Sequence, residues 1–525
     1  MSKAADMAKV SARGGFHLLW GLVLSTVISS VGTIIIQILL SPADIGLYYI
    51  ALNAPVMIQY FRDWGVGAAM IKYSAQYNSE NQIFKVKSII FSGLVFQTAL
   101  GLVLTLFTFS ISGFLAVSVL DRPGIESLIQ ISSFIILAGA FTSTSQVVFV
   151  GLERMSYNSI TFVVQSIVKT SFMVALVAVG LGAFGAVLGN ILSLLMAGLT
   201  GLLLVWLVYK NFPKTGEQNM EIMENIKLML RYGVPLSIGS IVHGLLLQFY
   251  TFTLAIYSTD AMIGNYSIAT TFVILITFFA TPVATMLFPA FSKLNAEKDK
   301  DTLRSVFGFS VKYGSILVIP VATLVMALSR PAVFTLFGDK YEFTPLFLLM
   351  LSSAYLFVAF GSLSVNTLLT GQGKTRLVMK LGLLTAAIGF PLSYVLISQF
   401  GVIGLILTTL TAGLPTLIIS RVWIWKHYNL TVSWVFSGKI LFSSAVPAVL
   451  TYLVVSYTNF ANWLQLIIGV CVFLPLFLVL VLFTKTVERS DLDNLRNMTA
   501  SLGPLHKIFA FLMNLVEKIM NLFGL

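Results

Sequence analysis

The sequence predicts an all-α polytopic membrane protein, and three observations predict it. Of the 525 residues, 57% are hydrophobic and only 10% are charged, against about 25% charged in soluble globular chains. Long apolar runs recur from Gly14 to Thr484, each sufficient to cross a hydrocarbon core about 30 Å thick. The chain also repeats itself. The first run extends past Trp20, Ser25 and Ser29 to Leu40, too long for the apolar part of a signal peptide, so no cleavable leader is expected. The single cysteine, Cys471, excludes an internal disulfide or a cysteine-based metal site and reads as a small core residue.

Apolar runs between charged or Gly/Pro-rich breaks give fourteen transmembrane helices, at 14–40, 45–69, 86–118, 125–150, 158–180, 183–208, 226–257, 261–291, 305–330, 344–370, 376–398, 401–425, 435–457 and 462–485. Charge orients them, because cytoplasmic segments carry an excess of Lys and Arg. With the N-terminus inside, only Arg122, Arg330 and Lys340 fall in external loops and Arg62 and Lys169 within helices; the other 27 of the 32 basic residues face the cytoplasm. An even helix count brings the C-terminus inside as well. The net charge of +12 is therefore a cytoplasmic surface facing anionic lipid, and no nucleic-acid partner is expected. Beyond Asp491, Ile508, Phe511, Leu512, Leu515, Ile519 and Phe523 recur at helical spacing between Lys507, Asn514, Glu517, Lys518 and Asn521. That pattern predicts an amphipathic tail helix lying in the membrane interface.

The repeat emerges at an offset of 217–220 positions. Ile45-Gly46 falls on Ile263-Gly264, Gly151 on Gly371, Gly182 and Gly185 on Gly401 and Gly404, and Trp206 on Trp425. The organisation read from it is a lobe at 1–210 (helices 1–6), a cytoplasmic linker at 211–227, a second lobe at 228–429 (helices 7–12), helices 13 and 14 at 430–486, and the tail at 487–525. Both six-helix repeats start on the cytoplasmic side, so they are parallel, an arrangement suited to two lobes rocking about a central site. Prolines within or near helix interiors, among them Pro55, Pro235, Pro320 and Pro391, are consistent with moving parts.

"LLSPADIGLYYIALNAPVMIQYFRDWGVGAAMIKYSAQ" (39–76) resembles the opening signature of the polysaccharide-biosynthesis flippases, with its D-x-G ahead of a small-residue run. "GLERMSYNSI" (151–160), "GLGAFGAVLGN" (181–190) and "LRYGVPLSIGS" (230–240) look like later stretches of the same family. The resemblance covers helices 1–12 and points to the oligosaccharide flippase (Wzx/PST) branch of the multidrug/oligosaccharidyl-lipid/polysaccharide (MOP) superfamily. It implies a V-shaped two-lobe fold in the cell (plasma or inner) membrane. It further implies a cationic central cavity and alternating access that carries a polyprenyl-(pyro)phosphate-linked oligosaccharide, on an undecaprenyl or dolichyl carrier, from the cytoplasmic to the outer leaflet. Partners so implied are that lipid-linked glycan, membrane lipids and other glycan-assembly membrane proteins. The alternatives are a multidrug/cation exporter of the same superfamily and a flippase for the peptidoglycan precursor.

Ionisable residues within the hydrocarbon are costly and mark function by default. Lys169 enters helix 5 about twelve residues beyond its cytoplasmic end, roughly 18 Å deep at 1.5 Å per residue, with Gln165 one turn away on the same face. It is expected to face a wet cavity and attract phosphate, or else to pair with an acid on another helix. Ser25, Ser29, Thr33 and Gln37 form a stripe on helix 1, which either lines a sugar path or packs helices closely. Asn53, Gln59 and Gln248 are further cavity candidates. His243 is a candidate proton-sensing or phosphate-binding group, with simple hydrogen bonding the plainer role. Arg231 and Lys312 sit near cytoplasmic helix ends, as a phosphate landing site or as positive-inside anchors. Asp63 lies roughly 27 Å along helix 2, close to the cytoplasmic boundary. Adjacent residues diverge by about 100° around a helix, so Arg62 and Asp63 are expected to have separate partners, at an inner gate or hinge.

Enzyme signatures are absent, and the chain reads as a non-enzyme. "GQGKT" (371–375) is no phosphate loop, because the glycine required five positions before Gly373 is Leu368. No cofactor or metal is expected. Energy would come from an H+ or Na+ gradient, the membrane potential or downstream consumption of product. Asp63 is the default coupling acid. Helix 1 lacks the acid typical of cation exporters, which sets the exporter second.

Overall fold

The computed structural model describes residues 3–213, 221–292, 294, 298–489, 491 and 517. These are helix, turn and bend, with no strand among them. In chain order the helices are α1 (Lys3–Leu39), α2 (Pro42–Asp63), α3 (Val66–Ser79), α4 (Ile83–Phe114), α5 (Glu126–Ser132), α6 (Phe134–Gly151), α7 (Met155–Leu176), α8 (Gly182–Lys210) and α9 (Ile222–Tyr257). There follow α10 (Asp260–Ser292), α11 (Lys300–Ala327), α12 (Ser329–Phe337), α13 (Thr344–Ser353), α14 (Ser362–Gly371), α15 (Thr375–Phe400), α16 (Val402–Ala412), α17 (Leu414–Tyr428), α18 (Trp434–Tyr457) and α19 (Asn462–Phe483). The amphipathic tail expected beyond Asp491 and the centre of the 211–227 linker lie outside the described residues.

Among the described residues, eleven helical stretches are long and apolar enough to cross a membrane. Thr344–Phe360 and Ser362–Gly371, bent by 58°, make a twelfth if taken as one span. Two features separate these numbers from the fourteen runs read in the sequence. Met155–Lys210 runs on as one 56-residue stretch, although it turns at Gly180 and Gly182, both left-handed at φ 94° and 52°, and α7 packs along α8. The expected helix at 45–69 is broken. Trp64 and Gly65 are left-handed at φ 47° and 76°, so α2 stops at Asp63 and α3 starts afresh at Val66. α2 also carries Asn53, Gln59, Arg62 and Asp63 among its 22 residues, which makes it more polar than the spanning stretches. The expected runs at 125–150, 344–370 and 401–425 are likewise divided, the last at Gly413 with Pro415 in the first turn of α17.

The chain packs into two compact units, Met1–Ser267 with Gly382–Ala412, and Ile268–Leu381 with Gly413–Leu525. In the first, α1 lies along α7, where Ser29 donates to Ser166 at 3.0 Å and Thr170 to the Ile28 carbonyl at 3.0 Å. Small hydroxyl residues thus let these two helices approach closely. Met70, Ile89, Phe149 and Met229 form a core joining α3, α4, α6 and α9. The second unit has two cores, one around Val318, Ile440 and Phe473 and one around Phe307, Leu368 and Ile424.

Within the first unit α2 and α9 run antiparallel along a continuous seam. At one end Gly65 meets Gly233 backbone to backbone, and a Cβ on either would collide with the other residue's main chain. Midway, Asn53 Nδ2 donates to Gln248 Oε1 at 3.1 Å and to Thr251 Oγ1. At the far end Gly46 abuts the Asp260 carbonyl, and Gly264 abuts the Pro42 carbonyl. Arg122 closes that end: its guanidinium donates to Asp260 Oδ1 at 2.7 Å, to the Ser258 carbonyl at 2.6 Å, to the Leu120 carbonyl at 3.1 Å and to the Ala255 carbonyl.

Candidate functional site

The break after α2 gives its last two residues different work. Asp63 turns its carboxylate onto the start of α3, where Oδ1 accepts from the Gly67 amide at 2.8 Å and Oδ2 from the Gly65 amide at 3.2 Å. Gln97 of α4 donates to Oδ1 as well. A carboxylate satisfying otherwise unpaired amides of a helix start is a cap. Arg62 leaves α2 in another direction and is buried. Its Nη1 donates to the Ile136 carbonyl at 3.1 Å and its Nη2 to Ser143 Oγ at 2.7 Å, both on α6. The side chain passes between two glycines: a Cβ at Gly139 would lie 3.1 Å from Nη1, and one at Gly101 would lie 3.7 Å from Cδ. Arg62 Nε has no hydrogen-bond partner among the described residues.

Beside Arg62 lies a cavity of about 430 Å³. Its polar lining is Gln59 and Arg62 of α2, Ser143 and Gln146 of α6, Gln165 of α7 and Ser237 of α9, and Tyr60, Trp64 and Phe162 supply aromatic wall. Asp63 is the one carboxylate in that lining, and its oxygens are engaged by the cap. The arrangement therefore offers a buried cation with donor capacity to spare, ringed by amides and hydroxyls. Arg62 makes no direct ion pair among the described residues; a buried charge is costly to desolvate, and an oxyanion accepting from guanidinium N–H groups relieves that cost through charge-assisted bonds. The amides offer both donors and acceptors to a hydroxyl-bearing group.

Of the residues expected in the cavity from sequence, Gln59 and Gln165 line it. Lys169 is half-buried on α7, one turn beyond Gln165, outside this lining and with no hydrogen-bond or ion-pair partner among the described residues. Ser29 is engaged with Ser166, and Gln37 is buried on α1. Asn53 and Gln248 bind each other in the α2–α9 seam, while His243 and Arg231 are exposed on α9. Lys312 is paired with Asp491 at 2.7 Å, and Asp491 also accepts from Tyr313. Arg62, expected at a gate, stands in the cavity wall. Sequence reasoning passed over Thr142, Ser143 and Gln146, although "FTSTSQ" (141–146) is a dense polar cluster within an apolar run. It also passed over Arg122.

The described helices form a multi-pass membrane protein with a polar, cation-bearing cavity among them, and comparison with known proteins narrows the class. The model of the family described as polysaccharide biosynthesis protein matches residues 11–295. This chain belongs to that family. An uncharacterized membrane protein of Methanocaldococcus jannaschii is 26% identical over 430 residues, 77% of this chain and 82% of that protein. Among solved structures, the lipid II flippase MurJ in an inward closed conformation is similar with a TM-score of 0.67 at 13% identity, over 87% of this chain and 98% of MurJ. An inward-facing multidrug resistance MATE family transporter of the MOP superfamily gives 0.59 at 15% identity, over 77% and 94%. The chain thus has the MOP transporter fold.

Proposed function

We propose that this protein is a flippase that moves a polyprenyl-(pyro)phosphate-linked oligosaccharide from the cytoplasmic to the outer leaflet by alternating access, for the assembly of a surface polysaccharide or glycoprotein glycan. The observation that carries the reading is Arg62, in the wall of a polar cavity with guanidinium N–H groups to spare after one bond each from Nη1 to Ile136 and Nη2 to Ser143. A phosphate needs such a cation, and the surrounding Gln59, Gln146 and Gln165 suit sugar hydroxyls. A cation exporter would need an acid in the same place, and the Asp63 carboxylate is occupied by Gly65, Gly67 and Gln97. The reading includes fourteen crossings, obtained by counting α2–α3, α7, α8 and the bent α13–α14 each as one, in two parallel six-helix repeats with both termini cytoplasmic. It also includes the cell membrane as location, the absence of catalysis, and drive from an H+ or Na+ gradient or the membrane potential. Lys169 serves in it as a second cation on the Gln165 face of α7.

The test is leaflet exchange of a fluorescent polyprenyl-pyrophosphoryl glycan in reconstituted vesicles. Arg62→Ala is expected to lower exchange about 10- to 100-fold, the equivalent of one charge-assisted bond at about 1.5–3 kcal/mol. Lys169→Ala should lower it less. A wild-type protein that ignores this lipid and transports cationic dyes would overturn the proposal in favour of the exporter.

A further inference from the structure

In the second compact unit, α17 ends in a basic turn containing Lys426 and His427. Arg421 lies seven residues before the end of that helix, roughly 10 Å inside it along the axis at 1.5 Å per residue. Its side chain does not remain at that depth. The guanidinium carbon sits 4.7 Å from the ring centroid of Trp434, the first residue of α18. Tryptophans at the ends of spanning helices sit at headgroup level, so Arg421 carries its charge along the helix to the interface. It makes no hydrogen bond or ion pair among the described residues. Its one recorded partner is the indole face.

A cavity of about 380 Å³ opens beside this cation, walled by Phe307 of α11, Val365 of α14 and Val432. Its mouth is formed by Ile418, Trp425 and Trp434, which are 61%, 54% and 66% exposed on the apolar outside of the helices. A small inorganic anion would satisfy Arg421 and leave the apolar walls unused. A plain hydrocarbon would fill the walls and leave the guanidinium unpaired. Only a molecule joining an anionic oxygen cluster to a greasy chain meets both demands, and basic pockets between spanning helices are known to hold such headgroups. We propose that this is a binding site for a bilayer glycerophospholipid, its phosphodiester on Arg421 and the first part of an acyl chain in the slot over Phe307 and Val365. The site is independent of the Arg62 cavity and of the transport reading.

Native mass spectrometry of the delipidated full-length protein tests it, with short-chain phosphatidylglycerol, inorganic phosphate and undecaprenyl phosphate as probes. The wild type should retain one phosphatidylglycerol. Arg421→Gln should weaken retention at least tenfold, with Arg421→Lys in between. Ile418→Trp leaves the guanidinium intact and blocks the slot from an exposed position, so it should weaken retention as much and decides the matter if Arg421→Gln does not fold. Undiminished retention in Ile418→Trp, equal binding of inorganic phosphate, or preference for undecaprenyl phosphate would each overturn the proposal.

Discussion

Arg62 and Asp63 show how one side chain's duty is set by what its helix does next. The chain turns through two left-handed residues after Asp63, which presents the bare amides of α3 to that carboxylate. Capping asks for an acceptor and not for a charge. Asp63→Asn is therefore expected to keep transport and its pH profile, whereas Asp63→Ala should cost about 1–2 kcal/mol of stability in thermal denaturation. A change of coupling ion or pH profile in Asp63→Asn would restore the acid to the coupling role. At Arg62 the demand is steric as well as electrostatic, since the guanidinium lies over Gly139. Gly139→Val should displace it and depress exchange of the lipid-linked glycan while the protein stays folded, as read by size-exclusion chromatography. The divergence of these neighbours follows from helical geometry and was legible in the sequence. The depth of Arg62 was not: counting residues along α2 measures distance from an end and says nothing of α6, whose Ile136 and Ser143 hold the side chain.

Helix breaks were the least legible elements. "FRDWG" stands within an apolar run, and the helix stops there because Trp64 and Gly65 turn left-handed and the Asp63 carboxylate takes up the amides of Gly65 and Gly67. Prolines did not mark the breaks either: Pro55, Pro235, Pro320, Pro391, Pro447 and Pro475 all lie inside helices. The α2–α9 seam could not be foreseen from either helix alone, because its polar residues satisfy one another across nearly 200 positions of chain, Asn53 with Gln248 among them. Arg122 read only as a loop charge, yet it ties its loop to the end of α9 and the start of α10 through three acceptors, with a fourth bond to Leu120 of the same loop. Arg122→Ala should lower stability by about 1–3 kcal/mol, the range for a charged donor whose partners are left unpaired. Exchanging the charges, Arg122→Asp with Asp260→Arg, should recover only part of that loss. The ion pair can re-form, while the Ala255 and Ser258 carbonyls lose their donor. Thermal unfolding of the two variants distinguishes this from an exposed pair, for which full recovery or no loss is expected.

For the whole molecule, composition was enough for the all-helical membrane class, because a chain with 10% charged residues and long apolar runs has few soluble solutions; the family's fold was legible only through the resemblance carried by residues 39–76 and the later stretches. The proposed orientation is testable by single cysteines in a Cys471→Ser background. Replacements at Asp121 and Asp339 should react with an impermeant maleimide from outside intact cells, and replacements at Lys85 and Lys374 only after permeabilisation. The reverse pattern would invert the topology. The seam between α2 and α9 also bears on tempo. Its glycine end is main chain against main chain, with no rotamer to reset and no charge to rehydrate. At the other end, parting the loop of Arg122 from α9 and α10 must strip its guanidinium from three oxygens, of Ala255, Ser258 and Asp260, and return it to water, and a group caught between partners has the full desolvation penalty to climb. The two ends of one seam therefore keep different clocks, one set by the sway of two helices and the other by the wetting of an ion pair. Any cycle that parts both must wait on the slower.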